Sequence, residues 1–242
     1  EIEPFMEKPL EALGKKARVL ELSKLKVISL LPAREGGVWE SHGPDAKKNG
    51  HSDKKEASGK KAETHKEHEK DLHLWLSPAN AQEIARALAL ALAEIDPANA
   101  PAYGANLEKL LARLGALDAE LRESLKPAAG KPYIVFHDAY QYFERHYGLS
   151  PAGAISVTSA HEPGAKRLYE IRKRITDAKV ACVFREPQFS SRLVETVVRG
   201  TPAKVGVLDP DGGATIPPGP EAYFRLMRGL AASLRDCLAA EH

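Results

Sequence analysis

The stretch THKEHEKDLHLWLSP, residues 64–78, sets three histidines, His65, His68 and His73, between a lysine-rich tract and an apolar run. Imidazole is a ligand for zinc and other first-row metal ions, so such a cluster raises the question of metal binding. The H-x2-H-x4-H spacing matches no closed structural zinc site. Taken alone, the stretch supports weak, multiple and exchangeable binding, and a tight site needs ligands from elsewhere.

Such ligands stand after four short apolar, β-branched runs. His137 follows YIVF (133–136), Thr158 and Ser159 follow GAISV (153–157), Glu186 follows VACVF (180–184), and Asp209 follows KVGVL (204–208). Continuous apolar runs of this length read as strands covered on both faces. Open parallel sheets bind ligands beyond the carboxyl ends of their strands, so His137, Glu186 and Asp209 are expected to converge on one edge. Each also has a plainer role. A histidine at a strand end is commonly a hydrogen-bonded structural residue. Asp209 opens the turn-rich DPDGG, and Glu186 precedes Pro187 and can pair with Arg185. His146 is expected on a helix surface beside Arg145, His161 at a helix start, and terminal His242 is given no role. A site of two or three imidazoles favours zinc, whereas manganese and magnesium sites lean toward oxygen.

Alternation of these strands with helices expected over 139–147, 163–178, 192–199 and 221–240 argues for a parallel, doubly wound sheet. Upstream, 4–14 reads as a short helix, 17–22 as a strand, and LHLWL as a short buried strand or extended segment. Ser77 and Pro78 then supply a cap and a first-turn proline for a helix to about residue 95. Tyr103, Leu107, Leu110, Leu114, Leu117, Leu121 and Leu125 recur at the helical period. That stripe is roughly 33 Å long at 1.5 Å per residue, enough to run down a two-lobed molecule. Residues 41–71 hold three alanines as their only apolar residues, with eight lysines, seven acids and four histidines, and read as a mobile, solvated loop.

With 242 residues the chain has room for two lobes, each with its own core. A net charge of +2 makes nucleic acid an unexpected partner. No apolar run approaches the ~20 residues that span a bilayer, so a soluble chain is expected. The sequence opens on Glu1 and shows no secretory signal, so either a signal has been removed or more than a signal precedes it. Cys182 and Cys237 are compatible with one disulfide or with two buried thiols.

HLWLSP (73–78), VFHDAYQYFERHYGL (135–149), EPGAKRLYEIR (162–172), CVFREPQF (182–189) and LDPDG (208–212), with a His-rich tract ahead of them, together resemble the ZnuA group. These are the periplasmic zinc-binding proteins of ABC uptake transporters. The resemblance covers nearly the whole chain. It implies two α/β lobes of doubly wound parallel sheet joined by a long rigid helix, with a metal cleft between them. The amino-terminal lobe is expected over 1–95, incomplete at its start and carrying the loop 41–71. The linking helix is expected over 96–126 and the carboxy-terminal α/β lobe over 127–242. His73 and His137 carry over as zinc ligands, and Asp209 as a carboxylate at or beside the ion. The manganese relatives place a carboxylate at position 137, so a histidine there points to zinc. The resemblance further implies a Cys182–Cys237 disulfide worth about 4 kcal/mol in the chain-entropy model, and hence a periplasmic location. It also implies a first histidine ligand in a segment ahead of EIEPFMEKPL, expected upstream of Glu1 in a longer chain.

The expected function is capture of Zn2+ and its delivery to an ABC permease by a monomeric carrier that is not an enzyme. His42, His51, His65 and His68 are expected to serve as auxiliary loop ligands of lower affinity. A periplasmic zinc chaperone is a further partner, or else describes the chain itself. Two competing readings are a manganese-binding relative and a binding protein of the same long-helix architecture for a siderophore or corrinoid. A zinc hydrolase using Glu186 as base is disfavoured, because the chain contains no H-E-x-x-H motif.

Overall fold

The computed structural model describes residues 6–13, 17–34, 39, 70–156, 163–213 and 215–239. Its carboxy-terminal half is built on strands β3 (Pro132–His137), β4 (Ser150–Ser156), β5 (Cys182–Arg185) and β6 (Lys204–Val207). They form one parallel sheet in the order β4-β3-β5-β6. Side chains of the central strands alternate between two cores, as the pleat requires. Tyr133, Val135, Cys182 and Phe184 face one layer. It is filled by Leu114, Leu117, Leu121 and Leu125 of α3 (Ala100–Leu125), by Tyr142 and Phe143 of α4 (Gln141–Tyr147), and by Phe224, Met227, Leu230 and Leu234 of α7 (Ala222–Ala239). Ile134, Phe136 and Val183 face the other, against Ile171 and Ile175 of α5 (Ala165–Asp177) and Val194 and Val197 of α6 (Arg192–Val198). Helices on both faces make the sheet doubly wound.

β6 departs from the expectation of full cover. Its Val205 and Val207 are exposed because it is the edge of the sheet, while Gly206 lies against the Phe184 ring, where an added Cβ would come within 2.4 Å. The Cys182–Cys237 disulfide ties β5 to α7 across the first core layer.

Upstream, α1 (Glu7–Leu13) lies within the expected span. α2 (Pro78–Ile95) begins where Ser77 and Pro78 place it, with the Ser77 hydroxyl accepting from the Asn80 N–H at 3.2 Å. The leucine stripe of α3 packs it against α7 and the sheet, and α2 lies along it as well. The amino-terminal strands differ from expectation. Residues 18–21 are irregular and lead into a 3-10 turn, Leu22–Lys24. In place of a second parallel sheet, the described residues hold a two-residue antiparallel ladder of β1 (Leu31–Pro32) with β2 (Lys70–Asp71). LHLWL is also no strand. It contains a 3-10 turn, Leu74–Leu76, because Asp71 bonds the His73 N–H and Asn80 takes the Leu74 carbonyl.

Several contacts fasten these upstream segments to the sheet. The Tyr142 hydroxyl accepts from the Leu31 N–H at 2.9 Å and donates to the Asp71 carbonyl at 2.7 Å, holding both strands of the ladder. Arg34 pairs with Asp138 and Glu144, and Trp39 stacks on its guanidinium at 3.8 Å. Residues 41–69, with His42, His51, His65 and His68, lie outside the described residues, as do Thr158, Ser159, His161 and His242.

Candidate metal centre

The connection from β3 runs to β4 on one side, and β5 lies on the other, so the sheet changes direction between β3 and β5. His137 ends β3 and Glu186 follows β5, which places both residues at the ligand-binding switch point of such sheets. The His137 ring Nδ1 lies 2.7 Å from each Glu186 oxygen, and its backbone N–H donates to Oε1 at 3.3 Å. The Tyr140 hydroxyl donates to the same carboxylate at 3.2 Å. Burial, and then the Glu186 charge, push the Tyr140 phenol well above its usual range, so it remains a donor.

His73 is bonded to a carboxylate in the same way. Its Nδ1 lies 2.8 Å from Asp71 Oδ1, which also accepts the His73 N–H at 3.0 Å. A ring that donates to a carboxylate from Nδ1 keeps its lone pair on Nε2. Among the described residues neither Nε2 has a hydrogen-bond partner. The two ring centroids lie 5.4 Å apart with planes inclined at 57°. Two imidazoles bound through Nε2 to one tetrahedral zinc, at about 2 Å each, have centroids roughly 5 Å apart. The observed spacing therefore fits a shared ion.

Asp209 stands outside that pair. Its Oδ1 accepts from Gln188 Nε2 at 2.7 Å and from the backbone N–H groups of Gly212 (2.9 Å) and Asp211 (3.2 Å). Its Oδ2 is buried and has no hydrogen-bond partner among the described residues. Among the described residues no three His, Cys, Asp or Glu side chains gather closely enough to hold an ion. Of the three ligands read from the sequence, the structure thus brings together His73 and His137.

The residue after His137 belongs to a buried ionic cluster. Arg34 Nε donates to Asp138 at 3.0 Å, its terminal nitrogen donates to Glu144 at 2.7 Å, and the Tyr133 hydroxyl donates to Glu144 at 3.0 Å. Burial raises Asp138 above the usual carboxylate range even with Arg34 beside it. The same cause lifts Glu144 to about 7, with the Arg34 charge opposing. His146 has a structural role, bonding Asp118 of α3 at 2.7 Å.

Glu186, read from the sequence as a metal-capable group, is instead bonded to His137 and Tyr140 and is 1% exposed. Asp71, Tyr140 and Arg34 join the site only through the fold. The D-x-H spacing of Asp71 and His73 is the one local signal in the sequence that points to any of them.

The family model described as zinc-uptake complex component A, periplasmic, matches residues 1–237. The high-affinity zinc uptake system protein ZnuA of Brucella suis biovar 1 (strain 1330) is 43% identical over 249 residues, covering 98% of this chain and 74% of that protein. The protein of the same name from Yersinia pestis is 35% identical, covering 98% of this chain and 73% of its own length. A crystal structure of a ZnuA deletion mutant with zinc bound aligns with a TM-score of 0.60 at 32% identity, over 71% of this chain and 62% of that one. The chain thus spans less than two thirds of that solved structure.

Proposed function

The chain belongs to the family of periplasmic zinc-uptake components, and from that membership we propose that it captures Zn2+ in the periplasm and delivers it to the membrane permease of an ABC transporter. The adjacent pair His73 and His137 supports this most strongly, each ring bonded through Nδ1 to a carboxylate and open at Nε2. We assign these two histidines as ligands, with Asp209 supplying a carboxylate through its unpartnered Oδ2. Two imidazoles favour zinc over manganese, whose sites are richer in oxygen.

The ion is cargo. Glu186, the base that a hydrolase would need, already serves His137 and Tyr140. We further propose that the chain acts as a monomer, that a periplasmic zinc chaperone is a second partner, and that His42, His51, His65 and His68 bind zinc more weakly. The division into a lobe over 1–95, a linking helix over 96–126 and a lobe over 127–242 is part of the same proposal.

Competition for zinc against a chelator tests the assignment. Tight one-to-one binding should weaken on the order of 100-fold or more in both His73→Ala and His137→Ala. Affinity and stoichiometry unchanged by either substitution would overturn it.

A further inference from the structure

We infer that Asp71 and Glu186 are positioning residues for zinc capture, fixing the tautomer and the aim of His73 and His137 so that two Nε2 lone pairs meet one ion. This inference rests on the zinc reading above.

Neither carboxylate is an incidental neighbour. Asp71 is 7% exposed, and its carbonyl is held by Tyr142, so the bond from its Oδ1 to His73 starts from a fixed point. A residue that merely capped the 3-10 turn would need only the His73 N–H at 3.0 Å. The ring bond at 2.8 Å is an addition with no part in that turn. Asp71 Oδ2 is buried without a hydrogen bond. Leaving a buried carboxylate oxygen unpaired is unfavourable, so local polar satisfaction does not account for an acid at this position. Glu186 is held by Tyr140 and by the His137 N–H, and presents both oxygens to Nδ1 at 2.7 Å. Two rings from distant parts of the chain are thus held by the same device with their centroids 5.4 Å apart. Without the carboxylates each ring can carry its proton on Nε2, which removes the lone pair that the ion needs.

The test is nitrogen-15 NMR of the metal-free protein labelled at histidine, at mildly alkaline pH where free imidazole is neutral. In the unsubstituted protein both His73 and His137 should carry the proton on Nδ1. Asp71→Asn should shift His73 alone toward the Nε2–H form, and Glu186→Gln should shift His137 alone. Each should weaken zinc binding by roughly 10- to 100-fold with one-to-one stoichiometry retained. An Nε2–H tautomer at either histidine of the unsubstituted protein would overturn the positioning role, and this readout does not depend on any variant folding. If both tautomers are as inferred but His137→Ala leaves zinc affinity unchanged, the zinc reading fails, and with it the purpose assigned to the two carboxylates.

Discussion

The Trp75 indole N–H donates to the Pro210 carbonyl at 3.1 Å, so the residue two places after His73 is bonded to the residue that follows Asp209. The Tyr223 hydroxyl donates to the Trp75 carbonyl at 3.0 Å and anchors the same turn to α7. These bonds form a seam between the His73 turn and the loop after β6, which joins two of the proposed ligands. Trp75→Phe keeps an aromatic ring and removes the donor. Zinc affinity should fall by roughly 3- to 10-fold, the worth of one hydrogen bond. A chelator competition showing no change would mean that this seam does not position Asp209.

The Arg34 cluster should leave a signature in the pH dependence of stability. Glu144 sits near 7 in the folded chain, against an ordinary value of 4.5. Between those limits the folded state holds a proton that the unfolded chain releases. The contribution of this group to stability is therefore full below about 4.5 and is lost as the pH rises through about 7. Glu144→Gln should remove that decline. Urea unfolding of both proteins at about pH 5 and about pH 8 checks it, and an equal change with pH in the two would contradict the assignment.

The disulfide lies at the start of β5, whereas His137 lies at the carboxyl end of β3 with the His73 ring beside it. Stability and zinc binding should therefore separate. Replacing Cys182 and Cys237 by alanine should cost about 4 kcal/mol of stability and change zinc affinity less than threefold, roughly half a kcal/mol. A loss of affinity as large as that of His137→Ala would show that the bond shapes the site itself.

The residues carried the sheet, the long helix and one edge of the site plainly. Four apolar runs gave four parallel strands, and among the described residues His137, Glu186 and Asp209 fell at or just after the carboxyl ends of three of them. Ser77 and Pro78 marked the start of α2, because a cap and a first-turn proline act locally. Three features were hidden because they depend on partners distant in sequence. The 3-10 turn at Leu74–Leu76 follows from bonds made by Asp71 and Asn80, which outweigh the apolar pattern of LHLWL. The exposure of Val205 and Val207 follows from β6 being an edge, and strand order is not written in any one strand. Glu186 meets His137 only because β3 and β5 are neighbours.

Anomalous diffraction at the zinc edge from crystals of the zinc-loaded protein locates the ion relative to His73 and His137. A single strong peak is expected about 2 Å from Nε2 of each ring, with both Nδ1 atoms still on their carboxylates. A peak on Nδ1 of either ring, or zinc found only away from this pair, would contradict the proposed site.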